Sequence, residues 1–304
     1  MYDLPDLNRF VEVRPGLYRC TIIWPVSRGI DIPVSTFLVR GDSLEQGSDP
    51  AHDWLLVDSG APMQIDGLLK AIDEVLTHEK DSLRYICITH GHLDHTAAAP
   101  ALLEKYPECK VVIHEDEKPF ICEGVSFRTV TSDTWTFTML KHFSHESHVK
   151  LPQDRTITLR DGASWEFEHV LKFVETHGHT PGKRIQMEGN KREGCINVLM
   201  ILQFGFFFCA GSASYLHVPS RSIMVGDAIM NIASMPFWSM IPCISGPLAM
   251  STCHWGNAMK AIDKLLTLKD EVDTVFPAHD YSADGIHIDQ VHEFHRPTIL
   301  QAKQ

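Results

Sequence analysis

The chain contains no Cys-x-x-Cys pair. Its eight cysteines, at 20, 87, 109, 122, 195, 209, 243 and 253, are scattered, and several sit in apolar runs. Buried free thiols have that pattern, so a disulfide framework is not expected and a reducing cytoplasm fits better. The N-terminus, Met1-Tyr2-Asp3-Leu4-Pro5-Asp6, has neither a basic n-region nor an apolar h-region, and a secretory signal is not expected from it. Basic residues are in deficit, with 27 Lys and Arg against 39 Asp and Glu and a formal net charge of -12. That balance argues against a nucleic-acid surface. No Gly-x-Ser-x-Gly elbow occurs, which leaves no sign of a serine nucleophile on a strand-to-helix turn.

What the chain does have is a dense local set of metal-binding side chains. His90-Gly91-His92-Leu93-Asp94-His95 follows the apolar run Tyr85-Ile86-Cys87-Ile88-Thr89, which reads as a buried strand. Residues two apart on an extended segment point the same way, so His90 and His92 can grip one ion. The turn that follows brings Asp94 and His95 round to a second position. Imidazole and carboxylate are the ligands zinc takes where a coordination position stays open for catalysis.

Four further segments end in the same manner. His169–Val174 leads into Glu175-Thr176-His177-Gly178-His179-Thr180-Pro181-Gly182. Ser222–Val225 ends at Gly226-Asp227, Asp273–Phe276 at Pro277-Ala278-His279-Asp280, and Leu55-Leu56-Val57 at Asp58-Ser59-Gly60. Each candidate lies just past the C-terminal end of an expected strand, where open sheets gather their sites.

From about Asp58 to His279, these linked motifs and their order resemble the metallo-β-lactamase superfamily. The resemblance implies an α/β (α+β) fold, a four-layer αββα sandwich with two metals in a cleft at one edge, here as a single domain over 1–304. Carried over by position, His90, His92 and His179 would hold the first metal. Asp94, His95 and His279 would hold the second, and Asp227 would bridge the two. Asp58 would support the metal loop from behind. Two Zn2+ ions are expected, with iron possible on the same ligand types. A water bridging two cations becomes hydroxide near neutral pH and attacks a carbonyl that one metal polarises, while Asp94 orients it and passes a proton to the leaving group. The expected substrate is a small ester, lactone or thioester. Lactones and thioesters stand ahead of β-lactams because an exported resistance enzyme is not expected. Tyr215 and Tyr281 are candidates for a tyrosine near the carbonyl by sequence proximity alone.

Two other functions compete. Pro277-Ala278-His279-Asp280-Tyr281 is similar to a segment of the persulfide dioxygenases, which hold a single iron. The stretch Asp227-Ala228-Ile229-Met230-Asn231, however, lacks the basic residues that those enzymes place there. A non-catalytic binding protein is the third reading, though no ligand is missing.

Elsewhere the periodicity predicts a β-meander over residues 11 to 40 and an amphipathic helix over 63–78, with Ile65, Leu68, Leu69, Ile72 and Val75 on one face. A helix is expected over 97–106, a strand over 110–114 and a hairpin over 157–170 turning at Asp161-Gly162. Another helix is expected over 256–268. His114 reads as a structural strand-end residue. The resemblance makes 115–150 a substrate-covering insertion, and His142, His145 and His148 within it read as a solvated helix face.

The pattern breaks between His179 and Asp227, 48 positions apart where the family uses a short hairpin. Residues 195–211 form the most apolar stretch of the chain and approach the length of a membrane span, but spanning would separate ligands that must meet. For the atypical segment 192–217, a hydrophobic lid or acyl-chain channel, a membrane-surface contact, and non-native sequence such as a translated intron all remain open. Without it, Arg184–Met187 would form a hairpin with Ser222–Val225. Lys183 is a smaller departure, standing where many relatives have His. The expected partner is a small-molecule carbonyl substrate, with no nucleic acid.

Overall fold

Apolar residues on the central strands divide between two layers, and the computed structural model shows which layer takes which set. It describes residues 7–27, 30–43, 51–126, 149–160, 162–176, 213–231, 244–245 and 255–293. In β4 (His52–Val57), Trp54 and Leu56 face one cluster while Leu55 and Val57 face another. β5 (Ser82–Cys87) sends Leu83 and Ile86 one way and Tyr85 and Cys87 the other; β6 (Lys110–His114) divides Val111 and Ile113 from Val112. Strands covered on both faces read as continuous apolar runs, which is why they stood out in the sequence.

These three strands belong to a seven-stranded sheet in the order β1-β2-β3-β4-β5-β6-β7. The opening meander is β1 (Phe10–Arg14), β2 (Leu17–Ser27) and β3 (Ile30–Ser43), paired antiparallel, with β4 antiparallel to β3. From β4 to β7 (Thr156–Leu159) the pairing is parallel, so each step needs a crossover. α1 (Ile65–Val75) supplies the first, and α2 (Leu93–Thr96) with α3 (Ala99–Lys105) the second. Their buried residues, among them Leu68, Ile72 and Leu102, and Ile121 of α4 (Lys118–Ile121), cover the outer face of the sheet.

The second sheet has the order β15-β14-β11-β10-β9-β8. It contains β8 (Glu166–Phe167), β9 (Leu171–Glu175), β10 (Ala213–His217), β11 (Ser222–Gly226), β14 (Thr274–Pro277) and β15 (Ile286–His287). Phe173, Tyr215, Met224 and Phe276 meet Phe37, Leu55, Val57 and Val112 between the sheets. Ile223, Val225 and Val275 face the other way, onto Ile262 and Leu265 of α5 (Trp255–Thr267). Helix, sheet, sheet and helix make the four-layer αββα sandwich. A short ribbon of β12 (Met230–Asn231) and β13 (Ile244–Ser245) lies outside both sheets.

Two expectations are corrected. The 157–170 hairpin does not form: β7 pairs in parallel with β6 in the first sheet, whereas β8 pairs with β9 in the second. The chain therefore changes sheets between them, because each strand completes a different edge. β11 pairs with β10 and β14, so the last five residues of the segment set apart as 192–217 are a central strand of the second sheet, while Arg184–Met187 lies outside the described residues. Residues 192–212 lie outside the described residues, as do Lys183, His142, His145 and His148. No described helix is long and apolar enough to cross a membrane. Cys20, Cys87, Cys109 and Cys122 are buried free thiols, as their apolar settings imply.

Candidate metal centre

Four strand ends from the two sheets meet at one edge of the sandwich. β4 delivers Asp58, β5 the His90–His95 loop, β11 Asp227 and β14 His279. His90 Nε2 and His92 Nδ1 approach to 2.8 Å, and Asp227 Oδ2 lies 3.5 Å and 3.7 Å from them. The other carboxylate oxygen of Asp227 faces the second group, 3.4 Å from His95 Nε2 and 3.2 Å from His279 Nε2. Asp94 Oδ2 lies 3.6 Å and 3.5 Å from the same two nitrogens. Two sets with converging donor atoms result: His90, His92, His95 and Asp227, and Asp94, His95 and His279. His95 belongs to both sets and Asp227 touches both, so the nominated side chains interlock more than a division into two separate triads implies. His179 lies outside the described residues.

Neighbouring groups fix which nitrogen each imidazole presents. His95 Nδ1 donates to Asp58 Oδ2 at 2.8 Å and His279 Nδ1 donates to the Pro33 carbonyl at 2.7 Å. Both rings therefore turn Nε2 to the centre. Asp58 itself is held in place: its Oδ1 accepts the Thr89 N–H at 2.7 Å, and Thr89 Oγ1 donates to Oδ2 at 2.8 Å. Its backbone is left-handed, with φ 58°, a conformation Asp tolerates better than most residues. Thr89 also reaches His90 Nδ1 at 2.9 Å, so one hydroxyl links Asp58 to the first imidazole.

Charge at the centre is strongly coupled. Burial works against a charged His95, but Asp94, Asp58 and Asp227 outweigh it and raise its pKa well above the usual value. Burial likewise opposes charge on Asp227, yet His279, His90 and His95 hold its carboxyl well below the ordinary range. Against the same burial penalty, His279 is pushed up to about 9 by Asp227 and Asp94. His90 is held down to about 4 by burial and by the charge of His95. The carboxylates thus call for positive charge at the centre.

The residues present fit a metal. Asp94 Oδ1, His95 Nε2 and Asp227 Oδ1 are buried and make no hydrogen bond, a state that is costly in a dry interior unless something else coordinates them. Mixed imidazole and carboxylate donors suit zinc and also iron.

Gly226, just before Asp227, has φ 54° and sits against Thr89, where an added Cβ would lie 2.6 Å from Oγ1. Gly226→Ala is expected to destabilise the fold by about 1–3 kcal/mol through overpacking, with the left-handed backbone adding to the cost. A urea midpoint measurement checks this; an unchanged midpoint would show that Thr89 can move aside.

Other nominated residues fall elsewhere. Tyr215 is fully buried between the sheets and donates to the Ile88 and Val112 carbonyls at 3.2 and 3.3 Å. It is a core residue and not part of the centre. Tyr281 packs with Met230 and Ile23. His114 is buried at the end of β6, where it accepts the Asp116 N–H at 3.2 Å and stacks on Phe173, the structural role its position implies. Sequence reading missed Thr89, Pro33, Arg19 and Glu117, whose carboxylate accepts the Gly91 N–H at 2.9 Å. Only Thr89, adjacent to the motif, offered any local signal.

Residues 29–183, just over half of the chain, match the metallo-beta-lactamase superfamily. A probable metallo-hydrolase of Bacillus subtilis, YflN, is 29% identical over 144 residues, which is 44% of this chain and 50% of YflN. An uncharacterized protein of the same organism, YobT, is 26% identical over 151 residues, 49% of this chain and 54% of YobT. The chain thus spans about half the length of the curated relatives it matches. Among solved structures, a beta-lactamase domain protein from Burkholderia ambifaria is 15% identical with a TM-score of 0.58, covering 99% of this chain and 82% of that one. An archaeal metallo-beta-lactamase superfamily protein from Sulfolobus tokodaii is 17% identical with a TM-score of 0.53, covering 93% and 86%. At such identities the structures speak for the fold alone, and it is the same fold. The sequence match over residues 29–183 carries the further conclusion that this chain belongs to the metallo-β-lactamase superfamily.

Proposed function

We propose that this protein is a metal-dependent hydrolase that cleaves a small ester, lactone or thioester, and that it uses two zinc ions. His90, His92, His179 and Asp227 would hold one, and Asp94, His95, His279 and Asp227 the other. The observation that carries this reading is the convergence of buried imidazoles and carboxylates whose inward-facing atoms, in Asp94, His95 and Asp227, lack hydrogen bonds. When bound, such ions supply Lewis acidity that activates water and polarises a carbonyl.

The chain's own groups then divide the remaining work. Asp58 and the Pro33 carbonyl hold His95 and His279 in the tautomer that aims Nε2 inward. Asp94, with Oδ1 buried and without a hydrogen bond, is the group placed to take a proton from water and return it to the leaving oxygen or sulfur. Burial of the whole cluster excludes bulk water and strengthens each of these electrostatic contacts. The scattered thiols and the net negative charge accord with a cytoplasmic enzyme of small molecules.

Purified, zinc-loaded protein assayed on lactone, thioester and β-lactam substrates tests the proposal. Turnover of a lactone or thioester that vanishes with chelator and returns with zinc is the expected result. Silence on all three classes removes the reading. Oxygen uptake with glutathione persulfide by iron-loaded protein would replace it with sulfur oxidation.

A further inference from the structure

A buried guanidinium and a buried carboxylate stand behind His279, and the chemistry above uses neither. Arg19, near the start of β2, is 3% exposed. Its Nε donates to Ser35 Oγ at 3.0 Å, and its terminal nitrogens donate to the carbonyls of Asp280 and Ser282. Asp280 is fully buried. Its Oδ1 accepts from Asn231 Nδ2 at 3.0 Å and from the Ser282 N–H at 2.8 Å, while Oδ2 accepts from Ser282 Oγ at 2.5 Å.

Withdrawing two such charges from water costs several kcal/mol each, and an apolar pair of similar volume is often as stable or more so. Stability alone therefore gives a weak reason for them. Hydrogen-bonding geometry gives a better one. Arg19 clamps two carbonyls of the loop that begins at His279. Asp280 ties that loop to Asn231 on β12, four residues beyond Asp227. On its other side the loop is pinned by Ser35 N–H to the Ala278 carbonyl and Ala278 N–H to the Gly226 carbonyl, both at 3.0 Å. The strand end carrying His279 is thus fastened to β2, β3, β11 and β12 at once.

We propose that Asp280, with Arg19 beneath it, is a positioning residue that sets His279 at the second metal position and locks it in register with the Asp227 loop. This rests on the two-ion reading above. Functional constellations tolerate displacements of only about 0.5 Å, and the groups behind the ligands supply that precision. His90 and the start of its loop are anchored independently of Asp280, through Asp58 and Thr89, so loss of the Asp280 bracket acts more strongly on the ion that His279 would hold than on the other.

Titration of the metal-free full-length protein with Co2+, followed by visible absorption and by chelator competition, tests this without an activity assay. The unaltered chain is expected to take two equivalents. Asp280→Ala should bind the first with affinity within about threefold of the unaltered chain and the second about 10- to 100-fold more weakly. Asp280→Asn keeps an acceptor for Asn231 and Ser282 N–H and can donate to Ser282 Oγ, so it should restore the second to within about threefold. A folded Asp280→Ala protein with both affinities unchanged, or with both weakened equally, overturns the proposal, and so does an Asn variant as weak as the Ala one. If Asp280→Ala does not fold, Asn231→Ala decides by removing one donor: a weakened second equivalent supports the bracket, and an unchanged one overturns it. Fewer than two equivalents on the unaltered chain overturns this inference together with the two-ion reading, which sets that failure apart from a failure of the bracket alone.

Discussion

Asp94→Asn is expected to lower kcat by about 100- to 10,000-fold, the range for loss of a positioned acid–base group, while the chain stays folded. Asp94 is buried at the start of α2, with Oδ1 making no hydrogen bond and Oδ2 3.5–3.6 Å from two imidazoles. A carboxylate in that state contributes little to the fold, so its placement is explained by what it does at the centre. The amide has nearly the same shape but cannot accept a proton at this pH, and the deficit should fall on kcat more than on KM. Steady-state kinetics on variant protein with its metal content measured supplies the check. A kcat within tenfold of the parent at full metal loading would remove Asp94 from proton transfer.

Metal removal is expected to make stability sharply pH-dependent, with a maximum near pH 6.5. His279 has its pKa raised to about 9 in the folded metal-free chain. Its contribution is fully present below the unfolded value near 6.5 and is lost as pH rises through about 9. His90 is depressed to about 4 by burial and the charge of His95. The folded state resists protonating it, so stability falls as pH drops from 6.5 through about 4. His217, buried on β10 and also lowered to about 4 by desolvation, acts in the same direction on the acid side. Each displacement corresponds to roughly 3 kcal/mol at full extent. Bound metal needs His279 deprotonated, so the loaded protein should lose little on the alkaline side, and ion binding at 100–1,000 times Kd adds about 3–4 kcal/mol. Thermal melts from pH 4 to 9.5, with chelator and with zinc, test this. Parallel curves with and without metal would mean that these imidazoles do not share a site with it.

Much of this was legible in the sequence for a local reason. β4, β5, β6, β11 and β14 are short apolar runs whose ends carry polar residues, and a strand end is where a side chain can leave the core and face a cleft. That reading needs no knowledge of which strands pair. The boundaries of α1 and α5 were recoverable in the same way, from the spacing of their buried residues. The apolar run at 156–159 and the Glu166–Phe167 strand were misread as one hairpin because nearness in sequence stood in for pairing. β10 was missed for the related reason that it follows an atypical segment.

The sequence by itself determined the ligand types and the strand ends that carry six of the converging side chains, because those depend on residue chemistry and on alternation within single strands, while the fold and the grouping of ligands were what its resemblance to a known family implied. Only the tertiary structure decided how they interlock. It placed His95 in both sets, turned one oxygen of Asp227 to each, took Tyr215 into the core and set Arg19 behind Asp280, 261 residues away. Those outcomes come from packing two sheets face to face and from contacts between residues far apart in the chain, and no local pattern encodes which distant partner arrives.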